Sequence, residues 1–189
     1  MVLAGPLINA WVAALVLPGL VLVYAVLISI GVAAEPKTGS DSVQIGTSID
    51  SLPEQVAEMR EMILSAAYSG NIDNLSVAIQ WNELQPEFGS ADADDPIGSF
   101  KSLSIDGEGR EILAILINIL ETAYAVTRQG ADIENNKVYV WPAFAEMDLS
   151  RLSAPQETAF LQIVPRDDFA RMRASGKYSY WRVAIGADG

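Results

Sequence analysis

Three carboxylates crowd one short stretch of the chain, Asp106-Gly107-Glu108-Gly109-Arg110-Glu111. Ahead of a helix, acids complement the positive end of the helix dipole. As oxygen donors, Asp106 and Glu108 would instead form a weak hard-metal site, with Asp92, Asp94 and Asp95 as further donors. The EF-hand loop pattern with its closing Glu is absent.

A second group of residues suits recognition. Trp81-Asn82-Glu83 sets an indole beside an amide and a carboxylate, and Tyr139, Trp141, Tyr180, Trp181 and Arg182 add aromatics and a guanidinium. A carbohydrate or peptide cleft uses that combination. Packing in a core or at a sheet edge uses the same aromatics. The candidate ligand-binding residues are Trp81, Glu83, Tyr139, Trp141, Tyr180 and Arg182.

Other chemistries are narrowed by composition. The chain has no His and no Cys. That removes Ser-His-Asp and Cys-His catalytic units, thiolate nucleophiles, the usual zinc sites and disulfides. No nucleophile elbow, phosphate loop or Ser-x-x-Lys pattern occurs, and no cofactor is implied. Paired carboxylates would serve a glycosidase, but 24 acidic residues offer no way to select a pair. Set against 12 basic residues they give a net charge of −12. Phosphate binding needs clustered Lys and Arg, so nucleic acid is not expected as a partner. Anionic lipid head groups are disfavoured for the same reason.

The elements that must position these residues begin after an apolar leader. Residues 1–34 contain no Asp, Glu, Lys or Arg. Val32-Ala33-Ala34 before Glu35-Pro36 fits a signal-peptide cleavage site, but the basic start is missing and the apolar run is long. Residues 7–30 are long enough to span a bilayer, and a spanning helix tolerates Pro18-Gly19. The domain is therefore expected to be periplasmic or secreted, or else anchored in the inner membrane by residues 7–30. Residues 35–50, rich in Ser, Thr, Gly and Asp, read as a flexible linker. Residues 51–189 suit one domain with one core.

Within 51–189 the pattern predicts an α+β fold, mostly helical, with a small antiparallel sheet. Ser51-x-x-Glu54 reads as a capping box opening a helix in which Leu52, Val56, Met59, Ile63 and Ala66 recur, with Gly70 as the stop. Asp73 reads as the cap of a short turn. Asp95-Pro96 predicts a helix start running through Phe100 and Leu103. The run from Gly107 to Val126 predicts the central buried helix, too short in its apolar core to cross a membrane. A second capping box, Ser153-x-x-Gln156, predicts a helix to about residue 164. A further helix is expected from Asp167 or Asp168 to Gly176. Strands are predicted near 138–141, stopped by Pro142, and over 177–185. In the latter, Ser179, Trp181, Val183 and Ile185 share one face, with Tyr178, Tyr180, Arg182 and Ala184 on the other. Asp188-Gly189 after that strand is a hairpin-turn signal; the end reads either as a frayed tail or as a turn that calls for a returning strand or an outside pairing partner.

Four stretches together resemble a family of exported proteins of alphaproteobacterial type with no assigned activity: AIQWNELQPEF at 78–88, SIDGEGREILAILINILE at 104–121, ENNKVYVWPAFAEMDLSRLSAPQE at 134–157 and GKYSYWRVAIGADG at 176–189. The resemblance implies export and a further aromatic strand after the final turn. It brings no catalytic residues. Three functions remain in view: a non-catalytic binding module, a carboxylate-dependent periplasmic hydrolase, and an anchored subunit of a membrane complex.

Overall fold

The structure, a computed structural model, describes residues 43–81, 94–128 and 137–189. The leader 1–34, residues 35–42 of the 35–50 stretch, Glu83 and Asp92 lie outside the described residues. The architecture is α+β: six α-helices and one four-stranded antiparallel sheet among the described residues.

The first helix, α1, runs Glu54–Tyr68, with Pro53 rather than Ser51 at its N-cap. The expected capping box therefore does not form. Ser51 Oγ donates instead to the Ser48 carbonyl at 2.7 Å and lies 2.7 Å from the Tyr124 hydroxyl. Val56, Met59 and Ile63 line the buried face of α1, as their spacing predicts. Gly70, in the left-handed conformation, follows the helix end. Asn71, not Asp73, caps the next turn by accepting from the Asp73 amide, and α2 (Leu75–Trp81) follows. The third helix, α3 (Pro96–Leu103), starts where Asp95 accepts from the Gly98 amide.

The predicted long helix divides in two. α4 covers Arg110–Leu120, and after a short turn Tyr124–Arg128 forms a strand. Thr122 ends the helix, its hydroxyl donating to the Ile119 carbonyl at 2.6 Å. Ile112, Leu113, Leu116, Ile119 and Leu120 are buried, while Ala114 and Asn118 face outward. Among the described residues no helix is long and apolar enough to cross a membrane.

The strand expected near 138–141 forms, and the sheet has two strands that the sequence did not predict, at 44–46 and 124–128. In chain order the strands are β1 (Gln44–Gly46), β2 (Tyr124–Arg128), β3 (Lys137–Trp141) and β4 (Val183–Gly186), paired in that order. Residues 44–46, expected in a linker, thus form an edge strand on β2. The predicted 177–185 strand contracts to 183–186, yet its alternation survives. Trp181, Val183 and Ile185 pack in the main core, and Tyr178 and Tyr180 against a second cluster. The register sets Tyr124, Val126, Tyr139, Trp141, Val183 and Ile185 on one sheet face. That face meets α1 and α4 in the main core. Ala125, Val140 and Ala184 lie on the other face, where the 3-10 turn Ala143–Glu146 packs on β2 and β3.

The last helices are α5 (Ala154–Leu161) and α6 (Arg166–Ser175). The Ser153 amide donates to the Gln156 side chain at 2.8 Å, as the second capping box requires. Phe160 centres the second cluster, with Phe144, Phe169 and Tyr178 rings 5.0, 5.5 and 6.1 Å away.

Two contacts hold α4 in place. At its exit, buried Arg60 donates from Nε and Nη2 to the Leu120 carbonyl at 3.1 and 2.9 Å. At its entrance, Gly109 has φ +82°, and an added Cβ would sit 2.8 Å from Ile72 Cβ. Gly107 is also left-handed, but open space surrounds it. Gly107→Ala is therefore expected to cost about 1 kcal/mol for backbone strain alone. Gly109→Ala should add about 1–3 kcal/mol for the clash with Ile72. Urea midpoints of the two variants check this, and equal losses would refute the close approach.

Candidate functional site

The helical period gives α1 a second stripe beside its core face. Glu58, Glu61, Met62, Ser65 and Ser69, at i, i+3, i+4, i+7 and i+11, sit on one side of the helix. On α2, Leu75 and Ala78 enter the core, which turns Val77 and Trp81 outward. These two surfaces border an open groove of about 690 Å³, with Ala66 also on its lining. That is the volume range of small-ligand sites, roughly 300–1,000 Å³.

The turn that closes the hairpin is internally bonded. Asn74 Nδ2 donates to Ser69 Oγ at 2.9 Å, and Ser69 Oγ donates to the Ala66 carbonyl at 2.6 Å. Lys101 of α3 reaches Asp73 at 2.7 Å and braces the same turn from outside. Ser69 and Asn74 both line the groove, so its polar wall is fixed by bonds already made.

Trp81 is 65% exposed and Val77 59% exposed. Together they leave apolar surface in water along the α2 side of the groove. The carboxylates of Glu58 and Glu61 stand on α1, one turn apart, and the α2 wall contributes Asn74, Val77 and Trp81. Among the described residues, an acid and a base facing each other across a cleft, as glycoside hydrolysis needs, are not arranged there. The groove offers apolar contact, an indole face and negative charge along one side.

The six residues read from sequence do not form one surface. Trp81 borders the groove. Trp141 is 1% and Tyr139 7% exposed, inside the main core beside Tyr124. Tyr180 packs half-buried on the second cluster, and burial raises its hydroxyl pKa. Arg182 Nη1 lies 3.6 Å from Glu146, and its buried Nε has no partner among the described residues. Glu83 is outside the described residues.

The acidic stretch at 106–111 is a hydrogen-bonded turn. Asp106 accepts from the Ser104 hydroxyl and from the amides of Glu108, Gly109 and Arg110. The Ser104 hydroxyl, then those amides, hold its carboxyl below the usual aspartate range. Glu111 accepts from the Ile105 amide at 2.7 Å, and Glu108 is exposed. Among the described residues no group of three or more acidic side chains is placed to hold a metal.

Sequence reading found Trp81 but not its surroundings. The signal was present as Val77 and Trp81, apolar at i and i+4 on the side of α2 opposite Leu75 and Ala78. No family model matches the chain, and no curated protein or solved structure matches it.

Trp81→Ala is expected to change unfolding free energy by less than about 0.5 kcal/mol, as at ordinary surface sites. Trp141→Ala should cost about 3–5 kcal/mol through the cavity it leaves. Chemical denaturation distinguishes them, and a large loss in the Trp81 variant would place that indole in the core.

Proposed function

We propose that this chain is an exported, non-catalytic binding module that receives its ligand in the α1–α2 groove. The observation that carries the proposal is the exposed Trp81 indole beside a formed groove. An indole offers large contact area for little side-chain entropy, which is why Trp concentrates at binding hot spots. Absence of His and Cys from the sequence, and the one-sided placement of Glu58 and Glu61, favour binding over hydrolysis. Export is supported by the uncharged 34-residue leader, its Val32-Ala33-Ala34 end, and the resemblance to exported proteins.

Neutral indole serves as a probe of the groove. In an NMR titration of ¹⁵N-labelled protein, indole is expected to shift amides of α1 and α2 and the Trp81 indole N–H. Val77→Lys should abolish those shifts while leaving the rest of the spectrum unchanged. Shifts centred on other elements would sink the assignment of the site.

Sequencing the N-terminus of protein recovered from an exporting host is expected to give Glu35 as the first residue. A retained Met1 in the membrane fraction would replace the released module with an anchored one.

A further inference from the structure

Resting on the groove as the binding site, we infer that its occupant is a cationic amphipathic helix of a partner protein. From Glu58 to Ser69 the α1 stripe extends about 16 Å, or three helical turns. It repeats at three- and four-residue spacing, the period on which a packed helix interdigitates. Ser65, Ala66 and Ser69 are small, so a neighbouring backbone can approach closely. A hydrophobic groove between helices receives the apolar face of an amphipathic helix.

Charge selects which helix. Glu58 and Glu61 are exposed, and neither has an ion pair among the described residues. Nearby cations are already engaged, Lys101 by Asp73 and Arg60 by the Leu120 carbonyl. The chain as a whole carries −12. An acidic helix would be repelled, and a neutral one would leave the carboxylates uncompensated. Lysine or arginine on the incoming helix meets the carboxylates and has the Trp81 face available for cation–π contact. Its apolar stripe covers Met62 and Val77. A small ammonium ligand fits less well, because one indole does not make an aromatic cage.

The test uses the full chain and three synthetic helical peptides of about three turns. They share one leucine stripe and carry Lys, Gln or Glu on the polar face. Trp81 emission and calorimetry read binding to wild type, to Trp81→Ala and to the Glu58→Gln/Glu61→Gln double variant. The inference expects the Lys peptide to bind and the Glu peptide not to bind. Affinity for the Lys peptide should fall about tenfold or more in the double variant, and also with added salt. If all three peptides bind alike and only Trp81→Ala weakens them, the groove stands and the cationic helix falls. If no peptide binds, a groove already filled by other parts of this chain included, the cationic helix falls, and indole shifts at Trp81 decide whether the groove survives. Binding that neither variant weakens overturns both.

Discussion

The C-terminal end of α4 carries the negative pole of a helix dipole, and the chain buries it. Arg60 answers that pole. Its guanidinium is buried, and two of its donors meet the one Leu120 carbonyl. A buried carbonyl left bare would cost about 1–3 kcal/mol, and a buried cation left bare would cost more. The contact fixes α1 against α4 where the chain turns from helix into β2. Because Arg60 points to the core side of α1, the Glu58–Ser69 stripe is left to face outward.

The groove is therefore a consequence of how α1 is used. One side of the helix closes the main core with α4 and the sheet. Another side is bordered, among the described residues, by the 72–74 turn and α2, and α2 is a seven-residue helix. Two turns of helix cover little of a fifteen-residue neighbour. The second cluster, around Phe160, contributes none of the residues that line this groove. Trp81 itself is 65% exposed and belongs to neither buried cluster.

Helices were legible in the sequence wherever a period or a cap declared them. Asp95, Ser153 and Gly176 mark helix ends as their chemistry demands. Ser51 misled, because its hydroxyl is taken by Ser48 and Tyr124. Strands were harder to see. Tyr124–Arg128 follows an apolar helix without a Gly or Pro break, so the change of period is the only signal. Residues 44–46 carry linker composition, and tertiary pairing makes them a strand. The Tyr124 ring lies where a Cβ on Gly46 would be, so the glycine is needed for that pairing. Aromatic content pointed to Tyr139 and Trp141 as readily as to Trp81. Only their placement in a sheet face covered by helices sends them inward.

The two ends of α4 are secured by groups of opposite charge, and this gives the helix a direction in acid. At the entrance, Asp106 binds as a carboxylate whose pKa is depressed by folding. Its contribution is complete above the unfolded aspartate pKa and is lost as pH falls through the lower folded value. At the exit, the Arg60 guanidinium donates to the Leu120 carbonyl. Protonation of Asp106 as pH falls therefore weakens the bonds at the entrance of α4 and leaves the Leu120 carbonyl bonded at its exit.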